Sequence, residues 1–262
     1  MRAILTYHSV DASGSPISIS PEVFQRHVRW LAEAPVAVVG LDRLLDVDPA
    51  TDAVAITFDD GFRNFATVAW PLLRDHDLPV TLFVPAAKVG GTNDWDGPGP
   101  AVPNLPLLDW DDLGALVRDG VGVGSHTRTH ADLRGLPHDR LTAEVHQAAE
   151  LLRRRLGARP RSFAYPFGEW DAAARNAVAD EYDLACTTRL AMLQASGTDP
   201  YLLPRLDAYY FREPGRLESW GTLTFRLYVR ARRVARAARS LLGERRGPAP
   251  TRGATDLKTS RS

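Results

Sequence analysis

The chain has 262 residues, 44% of them hydrophobic and 24% charged, which excludes collagen-like and wholly disordered chains and permits one large domain without disulfide staples. Its 32 basic and 32 acidic residues cancel, yet residues 226–262 hold eleven Lys+Arg against only Glu244 and Asp256, leaving 21 basic and 30 acidic residues in 1–225. An acidic body argues against nucleic acid as a partner, because phosphate binding needs a basic face.

The single cysteine, Cys186, cannot form an internal disulfide, which fits a reducing compartment. The apolar run Ala3–Leu5 is too short for a secretory signal, and no run nears the roughly 20 apolar residues of a membrane span. A cytoplasmic location is the expectation.

In chain order, strand-sized apolar runs fall at Ala3–Tyr7, Val54–Phe58, Val80–Val84, Val121–Gly124, Ser162–Tyr165 and Leu184–Thr187. Helical patterns lie between them at Pro21–Glu33, Phe65–His76, Trp110–Arg118, Arg140–Leu156 and Ala172–Glu181. Ser20 before Pro21 reads as an N-cap with proline at the first helical position, and Gly157 as a helix stop. Such alternation implies parallel strands with crossover helices, hence an α/β sheet or barrel. Gly90–Pro106, with four glycines and four prolines, is either an insertion or a substrate-facing rim carrying Trp95.

Chemistry concentrates where the strands end. Asp59 and Asp60 close a β-type run before Gly61, and adjacent strand-end side chains point in different directions, so the two carboxylates can hold separate roles. Val121–Gly124 runs into Ser125-His126-Thr127-Arg128-Thr129-His130; histidines four apart fall on one face of a helical turn and can grip one metal ion. Two imidazoles and one carboxylate leave open positions for water and substrate. Tyr165-Pro166-Phe167-Gly168 ends another strand in a turn whose N–H groups suit an oxyanion. His8 follows the first strand, and Arg205, in Leu203-Pro204-Arg205, can pair with a carboxylate at the same mouth.

Thr57-Phe58-Asp59-Asp60-Gly61, Ser125–His130 and Tyr165–Gly168, in that order, resemble the NodB-homology polysaccharide deacetylases, carbohydrate esterase family 4. Leu78–Val84, Leu108–Leu113 and Leu184–Thr188 extend the resemblance over roughly residues 3–211. It implies a distorted (β/α) barrel; together with the change of charge near residue 215, the expectation is a catalytic domain over residues 1–215 and a basic helix with a disordered tail over 216–262. It implies removal of acetyl groups from an N-acetylated sugar of a glycan or lipid-linked precursor, with O-acetyl ester or N-formyl hydrolysis, or a non-catalytic glycan binder, as alternatives. Asp59 is then the general base, while Asp60, His126 and His130 hold a divalent metal, Zn2+ foremost, with Co2+, Ni2+ or Fe2+ acceptable to the same donors. The Phe167 N–H serves the oxyanion, and Tyr165, Trp170 and Trp95 contact substrate.

Two positions depart from the family pattern. Ala164 stands where many members carry a base-orienting arginine, and Arg205 takes over that job. No Leu-x-His supplies the general acid near the C-terminus. Tyr7-His8-Ser9-Val10 instead resembles the Tyr-His-x-Val of the circularly permuted poly-N-acetylglucosamine deacetylase branch, which makes His8 the acid.

Toward the C-terminus, Trp220, Leu223, Leu227, Ala231, Val234, Ala238 and Leu241 form an apolar stripe at helical spacing. Arg226, Arg230, Arg232, Arg233, Arg236 and Arg239 crowd the remaining surface. Such a helix either packs on the barrel or lies peripherally on an anionic membrane through 220–246 at the cytoplasmic leaflet.

Overall fold

A computed structural model describes residues 1–95, 102–194 and 196–241, without the side chains of 239–241. The middle of the Gly90–Pro106 stretch and the predicted disordered tail 247–262 lie outside the described residues.

The elements run β1 (Arg2–Tyr7), β2 (Ser9–Val10), β3 (Ser18–Ile19), α1 (Pro21–Glu33), β4 (Ala37–Val38), β5 (Ala53–Phe58), α2 (Trp70–Arg74), β6 (Val80–Val84), α3 (Trp110–Arg118), β7 (Gly122–Ser125), α4 (His138–Leu156), β8 (Ser162–Ala164), α5 (Ala172–Glu181), β9 (Leu184–Cys186), β10 (Leu206–Asp207) and α6 (Leu223–Leu241). Seven strands follow one another in the order β10-β1-β5-β6-β7-β8-β9, every pair parallel. β4 joins the start of β5, where β6 has not yet begun pairing. Among the described residues β9 and β10 are not paired with each other; a Cys186–Leu203 bridge and the bonds from Thr187 N–H to Leu203 O and from Arg205 N–H to Arg189 O join the segments beside them, giving the distorted barrel that was expected. β1 and β5 are buried at every residue, as strands covered on both faces must be.

The helix ends follow local chemistry. The Ser20 side chain accepts from Val23 N–H and Pro21 opens α1. Asp109 and Asp112 close a capping box on α3, and Gly157 ends α4 at φ +80. One expected helix differs. Residues Phe65–Ala69 form a π turn before α2, with Trp70 N–H reaching back to Phe65 O. Pro71 follows at once and has no N–H to carry the α ladder onward.

The C-terminal helix corrects the sequence reading of its faces. Phe225 and Val229 are buried in the main core, while Leu223, Leu227 and Val234 of the predicted stripe are 71%, 55% and 59% exposed. At 100° per residue those three cluster opposite the Phe225–Val229 face. The helix therefore docks through Phe225 and Val229 and turns Leu223, Leu227 and Val234 outward.

Candidate metal centre

The C-terminal ends of β1, β5, β7 and β8 bring the site together. β5 pairs on both sides, which fixes the direction of the two residues that follow it. Asp59 N–H bonds to Tyr7 O, and the chain then turns with Asp60 at φ +72 and Gly61 at φ +71. A Cβ on Gly61 would lie 2.9 Å from Val84 Cγ1, so glycine is required both by conformation and by space. This turn sends the two carboxylates apart, as adjacent strand-end residues are expected to go.

Asp60 meets His126 and His130. Its Oδ1 lies 3.4 Å from His126 Nε2 and 3.2 Å from His130 Nε2, all three residues being buried. The histidines do not sit on a helical turn as their spacing suggested. Thr127 and His130 have φ +65 and +66, and His130 N–H bonds to Thr127 Oγ1. The segment is a tight loop.

Glu144 of α4, 2% exposed, braces this loop by accepting from the N–H groups of Arg128 and Thr129 and from the Thr129 hydroxyl at 2.7–3.0 Å. Sequence reading missed Glu144. The available signal was a glutamate within the buried stripe Leu141, Val145, Ala148 and Leu152 of α4, where an unpaired carboxylate would be costly.

The donor chemistry asks for a cation. His126 Nδ1 lies 2.7 Å from Ala164 O; a carbonyl only accepts, so Nδ1 carries the proton and Nε2 turns its lone pair toward Asp60. Asp60 Oδ1 is buried without a hydrogen bond of acceptable geometry. Burial favours a neutral Asp60, but His126 and His130 outweigh it and hold the carboxyl well below the usual range. At His126 burial again acts first, disfavouring charge, yet the neighbouring carboxylates of Asp60 and Asp59 leave its pKa raised. Three electron-pair donors converge within 4.8 Å, a set that suits a divalent metal with open positions.

Asp59 faces the other way. Both its oxygens receive Arg205 nitrogens at 2.6 Å, a bidentate clamp. Arg205 is 1% exposed and is held in turn by Thr187 O at 3.0 Å. Burial raises the Asp59 pKa, and the Arg205 charge more than offsets it, so the carboxylate stays ionised. His8 Nε2 stands 3.7 Å from Asp59 Oδ2 with its side chain 21% exposed, accessible from the mouth. Ala164, where the resembled family carries an arginine, shares an apolar cluster with Cys186 and contributes its carbonyl to His126.

The turn after β8 places Phe167 at φ +61, its ring edge-on to His130 with centroids 4.8 Å apart. Trp95 stacks on the other side of His130 at 4.3 Å and 28°. Among the described residues, four of the five non-glycine positive-φ positions are Asp60, Thr127, His130 and Phe167, and strain of this kind collects at functional sites. Trp170 is 38% exposed just beyond the turn.

Tyr165 corrects an expectation. Its side chain is fully buried and packs on Phe163 in the cluster beneath α4 and α5, so it supports the turn and does not face substrate. A cavity of about 510 Å3 opens at the opposite end of the strands, walled by Leu41, Val121, Leu152 and Leu184, and none of Asp59, Asp60, His126, His130 and Arg205 lines it.

Known proteins resemble this chain in sequence and in fold. The family described as polysaccharide deacetylase matches residues 46–184, just over half of the chain. YxkH of Bacillus subtilis is 24% identical over 191 residues, 71% of this chain and 63% of that protein. A chitooligosaccharide deacetylase of a Bradyrhizobium species is 32% identical over 122 residues, 46% of this chain and 48% of its own length. The chain thus spans less than two thirds of these relatives. Among solved structures, IcaB from Ammonifex degensii aligns with TM-score 0.68 at 24% identity, covering 84% of this chain and 93% of that one. Streptococcus pyogenes deacetylase PplD in complex with acetate aligns with TM-score 0.67 at 22% identity, covering 78% and 91%. Both share the fold.

Proposed function

The chain belongs to the polysaccharide deacetylase family, and we propose that it is a metal-dependent hydrolase that removes acetyl groups from N-acetylated sugars. One observation carries the reading: Asp60, His126 and His130 converge as a three-donor set beside a second, separately clamped carboxylate, Asp59. A divalent cation held by the three donors, Zn2+ being our choice, would supply Lewis acidity toward an acyl carbonyl and a water molecule.

The chain's own groups do the rest. Asp59, kept ionised and fixed in direction by Arg205, accepts the proton of the attacking water at its carboxylate. The Phe167 N–H, on the turn beside His130, donates to the oxygen that gains charge. His8 delivers a proton to the departing amine, which an always-charged arginine cannot do. Trp95 and Trp170 offer ring faces to a sugar.

His8 at the end of β1, within reach of Asp59, supports the branch that resembles poly-N-acetylglucosamine deacetylases. The chitooligosaccharide deacetylase among the relatives supports an N-acetyl over an O-acetyl or N-formyl substrate. Acetate and free-amine release from N-acetylglucosamine oligomers, stopped by chelator, is expected. Release only from O-acetyl esters or formamides would move the activity to those substrates, and no turnover with metal bound would leave a glycan-binding protein.

The exposed stripe of α6 favours a second property, peripheral contact with anionic lipid at the inner face of the membrane. Leu223, Leu227 and Val234 face outward with Arg226, Arg230 and Arg233 beside them, and each arginine near such a surface adds about 1 kcal/mol. Co-sedimentation with phosphatidylserine vesicles at low salt, weakened by Leu227→Glu, is the expected result; equal recovery in the supernatant with and without vesicles would remove it.

A further inference from the structure

Thr188 sits between the site and the C-terminal helix. Its hydroxyl donates to Phe167 O at 3.1 Å. A Cβ built on Gly168 would lie 2.0 Å from that hydroxyl oxygen and 2.6 Å from Thr188 N, so Thr188 is seated directly on the Phe167–Gly168 turn. Phe167 holds a left-handed conformation that persists in a non-glycine residue only where its surroundings fix it. The preceding residue gives its carbonyl to Arg205 Nε at 3.0 Å. Two adjacent residues thus touch both the guanidinium that clamps Asp59 and the turn beside His130.

The outer side of this segment is held from beyond the barrel. Arg236 of α6 donates one terminal nitrogen to Thr188 O and the other to Thr188 Oγ1, each at 3.0 Å. With its lone pairs facing Arg236, the hydroxyl has its own proton directed at Phe167 O. Arg236 is half-buried, whereas Arg226, Arg230 and Arg233 on the same helix are exposed. The anchoring of α6 through Phe225 and Val229 brings Arg236, two to three turns further along the same face, over Thr188.

We propose that Arg236 is a positioning residue for the active site: through Thr188 it locks the Phe167 turn in its left-handed form, so that the C-terminal helix is a working part of the catalytic unit. The kinetic half of this proposal rests on the deacetylase reading; the conformational half does not. Arg236→Ala and Thr188→Val remove the two ends of the clamp, while Thr188→Ser keeps the hydroxyl and Arg154→Ala, at an exposed position of α4, is the control.

The test is amide hydrogen exchange of the peptide spanning 163–170 in the full chain, together with acetate release, metal content and Tm. Arg236→Ala and Thr188→Val should each speed exchange at 167–169 several-fold, and the double variant little more than either. They should lower kcat roughly tenfold with KM nearly unchanged, the effect of a displaced donor, while metal content and Tm stay near the parent's. Thr188→Ser and Arg154→Ala should behave as the parent. Unchanged exchange at 167–169 in Arg236→Ala and Thr188→Val would overturn the clamp. Faster exchange with parental kcat would overturn its catalytic role. A parent chain that releases no acetate fails the deacetylase reading instead, and the exchange result then decides the clamp alone.

Discussion

The two ends of the barrel use charge in opposite ways. At the mouth, Asp59, Asp60, Arg205, His126 and His130 are each at most 6% exposed; Arg205 clamps Asp59, and Asp60 and His130 lie on left-handed backbone. At the floor, Arg159 and Arg161 share Asp183 with every side chain at least 37% exposed, around an apolar cavity. Buried charges need complete partnership, whereas exposed ones tolerate loss. The difference teaches that only the mouth has been organised at the expense of stability, as a reactive site must be.

Substitutions can break that contrast in order of effect. The largest separates the two neighbouring acids. Asp60→Asn should lose both metal and turnover, while Asp59→Asn should keep metal and lose about 10²–10⁴ in kcat, the range for a missing general base; elemental analysis beside acetate release checks both. Near-parental turnover in Asp59→Asn would mean the roles are misassigned.

Next comes stability. Arg205→Met leaves Asp59 buried without its counter-charge and should cost about 3–5 kcal/mol in denaturant unfolding. Asp183→Asn at the floor should cost at most about 1 kcal/mol. Comparable losses at both ends would dissolve the contrast.

A buried histidine gives a pH test away from the metal ligands. His27 lies between Tyr7 OH at 3.1 Å and Phe211 O at 3.0 Å, and burial lowers its pKa from 6.5 to about 4. The folded state therefore refuses a proton that the unfolded chain accepts below pH 6.5. Its contribution is intact above that pH and is lost toward pH 4, at up to about 1.4 kcal/mol per pH unit. The parent should lose stability over this window faster than His27→Gln, measured by urea unfolding at several pH values.

How much of this was written in the sequence depends on the range of the interaction. Pro21–Glu33, Trp110–Arg118 and Ala172–Glu181 form helices with the bounds expected of them, because caps and periodicity are local. The divergence of Asp59 and Asp60 was legible for the same reason, and the Arg205–Asp59 pair was expected because Ala164 stands where the resembled family carries its base-orienting arginine. The loop form of His126–His130 was not, since Glu144, from another element, holds it. Tyr165 was misread because a tyrosine in a site motif looks like a ligand contact, while its side chain falls on the face beneath α4 and α5. The α6 stripe misled because aliphatic periodicity outweighed Phe225 and Val229, the residues that find partners.

The central claim is that the buried donor set and its neighbouring carboxylate form a metal-dependent deacetylating centre. The most direct measurement is free-amine and acetate release from N-acetylglucosamine oligomers by the purified chain, with metal quantified in the same samples, before and after chelation and after Zn2+ is restored. The account predicts equal amounts of amine and acetate, near one metal per chain, loss of both on chelation and return of both with Zn2+. Release that persists at zero metal, or no release from any acetylated sugar at full occupancy, would contradict it.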